Sequence, residues 1–125
     1  MSKFVTVAKD NVEGVIPSAW RAILSDIVEA FRSGDFQLTD LACVNQISAQ
    51  DSARIYNNIE AYGDQLASLP EETWETSVCR WMGNWWLVLV DLSTLEEGTS
   101  DLVLFTRVYE DGQSYRFEIE SVHVP

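Results

Sequence analysis

The chain has 125 residues, 46% of them hydrophobic and 22% charged, which fits one folded domain and excludes a disordered chain. Twenty acidic residues against eight basic ones give a net charge of −12. Phosphate backbones and anionic lipid headgroups repel such a chain, so nucleic acid and membrane surfaces are not expected as partners, and a basic protein or a cationic ligand is favoured.

A single domain is expected over residues 1–125, with 1–14 as a loosely attached N-terminal segment. Residues 3–8, KFVTVA, read either as a short strand or as an irregular terminus. The opening MSKFVTVAKD has no apolar signal core and no cleavage pattern. No apolar run approaches the ~18 residues of a membrane span. A cytoplasmic setting is expected.

The first helix is predicted from about Pro17 to Ser33. Proline suits the first turn because it lacks an N–H and has a preset φ. Trp20, Ile23, Leu24, Ile27, Val28 and Phe31 follow at helical spacing, and Gly34 reads as the C-terminal stop. Residues 35–47 read as a connector with apolar content, with room for a helical turn after Thr39. The second helix starts at Ser48, where Ser48 and Asp51 resemble a capping box. Ile55, Ile59, Tyr62, Leu66 and Leu69 form a heptad-like stripe. Gly63 weakens this helix and Pro70 ends it.

Beyond Pro70 the pattern turns extended. Strands are predicted over 75–81, 85–92, 102–110 and 115–124. Gly83-Asn84 reads as a tight turn between the first two. The acidic stretch STLEEGTSD reads as a loop between the second and third. Asp111-Gly112 reads as a type I′ turn between the last two, pairing Val108 with Tyr115, Thr106 with Phe117 and Leu104 with Ile119. The fold class is therefore α+β: two main helices packed on an antiparallel sheet of about four strands, in the order helix, helix, strand, strand, strand, strand. Trp20, Ile27 and Phe31 are expected to pack on Leu104, Phe117 and Ile119.

The stretch WETSVCRWMGNWWLVLVDL holds four of the five tryptophans. Its last strand is apolar on both faces, with Trp85, Leu87 and Leu89 pointing one way and Trp86, Val88 and Val90 the other. A sheet with helices on one side only should alternate here. Something is therefore expected over the second face: the N-terminal strand and the 35–47 connector, another subunit, or a partner. Trp85 and Trp86 are candidate contact residues.

Glu96, Glu97 and Asp101, with Asp91, make the 91–101 stretch acidic. Its spacing does not match an EF-hand, so no metal site is assigned. The loop reads either as solvated or as a contact for a basic partner. Cys43 and Cys79 are 36 residues apart with no zinc spacing and read as buried, reduced thiols. The one histidine, His123, reads as structural or exposed. No GxSxG, Gly-rich phosphate loop or HExxH occurs, so no catalytic residue and no cofactor is assigned.

The segments IEAYGDQLASLPEETW and WWLVLVDLSTLEEGTSDLVL and the ending VHVP resemble a family of small bacterial proteins known only as a domain of unknown function. The matching residues are Tyr62, Gly63, Leu69, Pro70, Trp74, Trp86, Val90, Asp91, Leu92, Glu97, Gly98, Ser100, Asp101 and Leu102. No activity follows from that resemblance. The string AFRSGDF, followed by late antiparallel strands, is similar to the opening of nuclear-transport-factor-2-like cone folds, which implies an apolar pocket beneath a curved sheet. The expected function is a non-enzymatic protein-binding module, of which a toxin-neutralising immunity protein is the most concrete form. The alternatives are a cone-like domain that binds or turns over a small apolar ligand, and a structural homodimer joined through the tryptophan hairpin.

Overall fold

The computed structural model describes residues 7–125. Its elements are α1 (Ser18–Arg32), α2 (Ala49–Tyr62), a short α3 (Thr73–Thr76), β1 (Val78–Trp81), β2 (Trp86–Thr94), β3 (Gly98–Asp111) and β4 (Ser114–His123). The strands form one antiparallel sheet in the order β1-β2-β3-β4. The fold is α+β, with α3 as the element that the sequence pattern did not signal. The short strand considered over residues 3–8 lies mostly outside the described residues.

Pro17 stands at the N-cap of α1 rather than in its first turn, with φ −53° and ψ 137°. Trp20, Leu24, Ile27, Val28 and Phe31 face the core. At the start of α2 the Ser48 hydroxyl accepts the Asp51 amide at 3.1 Å, as the capping pattern suggests. This helix ends at Tyr62 rather than Pro70. Gly63 follows at φ +90°, a left-handed conformation that costs glycine little and other residues more. Leu66 and Leu69 keep the helical spacing but lie beyond the helix, and Leu66 forms a bridge with Thr94.

The Gly83-Asn84 turn closes with the Met82 amide donating to the Trp85 carbonyl at 2.8 Å. β1 begins at Val78, three residues later than expected, because α3 occupies Thr73–Thr76. The acidic loop is shorter than the sequence suggested. Ser93 pairs with Thr99 and Thr94 with Gly98, which leaves a three-residue turn, Leu95 to Glu97. The last hairpin turns at Gly112-Gln113 instead of Asp111-Gly112, with Asp111 paired to Ser114. Gly112 has φ +65° and Gln113 is not left-handed, the pattern of a type II′ turn rather than I′. Val108 therefore pairs with Phe117 and Thr106 with Ile119. A slip of two residues keeps these side chains on their expected face, and a bulge between Phe105 and Thr106 then pairs Leu104 with Val122 instead of Ile119.

Both helices contribute to one core on one side of the sheet. Trp20 lies edge-on to three rings: Trp86 at 5.5 Å, Tyr115 at 5.1 Å and Phe117 at 5.9 Å between centroids. Ile27, Phe31, Leu104, Phe117 and Ile119 all belong to this core, as expected. The Trp86 indole also donates to the Ala8 carbonyl at 2.9 Å.

Each exposed margin of the sheet ends in a short pairing. Gly14 exchanges two backbone hydrogen bonds with Cys79 on β1, at 2.8 and 2.9 Å. On the other side Val44 bridges Phe117 on β4, with the Phe117 amide donating to the Cys43 carbonyl at 2.8 Å. Past the end of β1, the Ala67 amide donates to the Ser93 carbonyl at 2.8 Å. There too Ser77 Oγ accepts the Asp91 amide at 2.9 Å. The described part of the N-terminal segment and the connector thus pair along the margins of the sheet. The described part of the N-terminal segment is tied down, by Gly14, by Ala8 and by a Lys9–Glu110 ion pair at 2.7 Å.

Cys43 is exposed rather than buried, because its backbone turns at φ +64° to offer its carbonyl to β4. Cys79 is buried, and burial pushes its thiol up to about 11. Iodoacetamide at about pH 8 should label Cys43 alone in the folded protein, and Cys79 only after unfolding. Truncating the fully buried Phe117 to Ala should cost about 3–5 kcal/mol in urea unfolding. A loss below ~1 kcal/mol would contradict its place in the core.

Candidate interaction face

Side chains alternate along each strand, so the residues between the core positions share the other face. Register fixes them in rows. Arg80 pairs with Leu87, Leu87 with Arg107 and Arg107 with Glu118. In the next row Val78 pairs with Leu89, Leu89 with Phe105 and Phe105 with Ser121. Tyr109 pairs with Arg116, and Trp85 flanks them at the start of β2.

The helices build the core on the opposite side of the sheet, and from them Arg54 of α2 reaches round to Ser121 and Thr76 of α3 to Asp91 at the far end of this face. Trp85, Leu87, Leu89 and Phe105 are half-buried by their strand neighbours and take no part in the core. Among the described residues this second face of β2 is thus the less covered one, against fully buried Trp86, Val88 and Val90 on the first.

The rings on this face are capped by side chains of the same chain. The Arg107 guanidinium lies 4.4 Å from the Trp85 ring centre and Arg116 lies 5.0 Å from that of Tyr109. His123 stacks on Phe105 at 4.2 Å with the planes 5° apart. Arg107 also pairs with Glu120 at 3.0 Å. Three of the eight basic residues, Arg80, Arg107 and Arg116, stand on this face of an otherwise acidic chain. The sequence showed them only as alternate positions in strands, and their shared face becomes visible once register is known.

The five predicted contact residues do not form one patch. Trp85 is on the open face. Trp86 is 1% exposed and packs between Trp20 and Trp81, so it offers no surface to a partner. Glu96, Glu97 and Asp101 lie at the far end of β2, whose nine residues span about 30 Å at the usual strand rise.

The acidic corner is tied into the fold. The Tyr62 hydroxyl donates to Glu97 and accepts the Asp101 amide at 3.1 Å. The Asp101 amide pulls the Tyr62 phenol down, but the bond to Glu97, burial and the two carboxylate charges outweigh it and raise the phenol above its ordinary value. Asp64 accepts the amides of Gln65 at 2.8 Å and Glu96 at 3.0 Å, at the mouth of the 95–97 turn. The Thr94 hydroxyl, helped by these amides and that of Glu97, holds the Asp64 carboxyl below its ordinary range against the opposing effect of burial. Among the described residues no group of three or more His, Cys, Asp or Glu side chains is arranged to hold a metal. His123 sits beside a surface groove of about 610 Å³ shared with Arg54, Asn58, Glu120 and Ser121. Its Nδ1 lies 2.6 Å from the buried Ser121 hydroxyl. No helix is long and apolar enough to cross a membrane among the described residues.

A carboxyl with a lowered folded pKa stabilises the fold above its unfolded value, and that contribution is lost as pH falls through the folded one. Asp64→Asn should therefore lower the melting temperature by a few degrees at neutral pH. The gap from the parent protein should close as pH falls below about 4. A gap that is constant with pH would remove the carboxylate from this role.

No curated protein and no solved structure matches the chain. A family model does match, over residues 28–125, from the last third of α1 to the last residue. The chain belongs to that family, described as a domain of unknown function (DUF7668).

Proposed function

We propose that the protein is a non-enzymatic protein-binding module whose contact surface is the open face of its sheet. The observation that carries this reading is the capped row of rings: Trp85 under Arg107, Tyr109 under Arg116, Phe105 under His123. Tryptophan, tyrosine and arginine are the residues most enriched among interface hot spots. Stacking holds these side chains in place before a partner arrives, which lowers the entropy lost on association. Leu87 and Leu89 supply apolar area between the cations, and Glu118 and Glu120 give the face a polar rim. The acidic remainder of the surface acts at longer range, on encounter more than on the contact itself. A reducing, cytoplasmic setting is part of the reading, since both cysteines are free thiols.

A photo-crosslinking residue at position 87, in the protein expressed in its native cells, tests this directly. It should give a discrete protein–protein adduct, and the same residue at position 96 should not. Leu89→Asp should suppress the adduct. Crosslinking that is equal at both positions, or absent at 87, would refute the proposal.

A further inference from the structure

We infer that the open face is taken by a second copy of the same chain, packed face to face about a two-fold axis. This rests on the reading that the face is a contact surface, and goes further by naming the occupant. Consider an axis running along the strands, midway between β2 and β3. A half-turn about it lays β1 over β4 of the second copy and β2 over its β3. An interface of this symmetry works only if the patch is self-complementary, with each contact made twice.

The rows meet that condition. Arg80 and Glu118 are the two ends of one row. Arg80 is exposed and makes no ion pair among the described residues, and Glu118 has no cation partner among them. Glu118 only accepts weak hydrogen bonds, from Tyr109 at 3.4 Å and Asn45 at 3.5 Å. The half-turn brings Arg80 of each copy to Glu118 of the other. In the next row it sets Leu89 on Phe105 of the second copy, and at the β2 start it sets Trp85 opposite Tyr109 of the second copy. Leu87 meets the aliphatic stem of Arg107. Aligned sheets cross at about 30°, which displaces a row end roughly 7 Å from the axis by about 4 Å, within the reach of an arginine.

Size sets the strength. Four strands at ~4.8 Å spacing and six residues at ~3.3 Å rise give a projected face of about 400 Å² per copy, small for a specific interface. A weak, reversible dimer is therefore expected. Two chains of −12 repel at long range, so added salt should tighten the pair. A complex with a basic partner would loosen instead.

Analytical ultracentrifugation of the full chain up to about 200 µM, the range suited to an interface of this size, is the test. The parent chain should show a monomer–dimer equilibrium that tightens between about 20 and 300 mM salt. Leu89→Asp should weaken it at least about tenfold. Arg80→Glu, at an exposed site that spares the fold, should weaken it about fivefold, and adding Glu118→Arg should restore it to within about twofold. A chain that stays monomeric, a dimer indifferent to Leu89→Asp, or a charge swap without recovery overturns the inference. If the chain is monomeric while a position-87 crosslinker still captures a different protein in cells, the second copy is excluded and the contact face stands.

Discussion

The inner side of the sheet is arranged around the indole of Trp20. It places the positive edges of its neighbours and itself against negative ring faces, contacts worth about 0.5–1.5 kcal/mol each beyond burial. Its Nε1–H has no acceptor among the described residues, so ring packing and burial hold it. Through Trp86 and Phe117 it fixes α1 to both β2 and β4. Strand geometry does the rest. Once Trp86 points inward, Trp85 must point outward, and so must Leu87 and Leu89. The open aromatic face is thus a consequence of the core and needs no signal of its own.

Element types and their order were legible because they rest on periodicity. The stripe from Trp20 to Phe31 and the alternation from Leu104 to Ile119 each fit one geometry only. Boundaries were less legible, because local spacing competes with backbone chemistry. Leu66 and Leu69 fit a helix by spacing, yet the left-handed turn at Gly63 sends them into an extended segment where Leu66 is buried and Leu69 half-buried. Asp-Gly is a strong turn signal, yet the hairpin closes one residue later because Gly112 alone takes the positive φ that a II′ turn needs. The candidate site was half legible. Adjacent tryptophans announce two opposite faces, but which one is covered depends on where the helices dock, and α1, which packs on Trp86, ends more than fifty residues earlier in the chain.

Charge was the most misleading sequence feature when treated as a total. The acidic residues are spread over helices, turns and strands, and at the far end of β2 Asp64 accepts backbone amides while Glu97 accepts the Tyr62 hydroxyl. Three of the six arginines share one surface. A net charge of −12 therefore coexists with a face where cations cover the rings, and the two govern different distances. The total acts beyond a Debye length only weakly, whereas the stacked guanidinium groups act at contact.

The short pairings at the sheet margins bear on how far any assembly could grow. A bare strand edge offers the same unpaired amides again after each addition, so association through edges has no natural end and leads to fibres. Here Gly14, Val44 and Leu66 stand where the next strand would dock. A face differs from an edge in being consumed by a single partner. A molecule that sticks only by its face reaches a fixed stoichiometry and stops, and it can do so at high cellular concentration without seeding polymers.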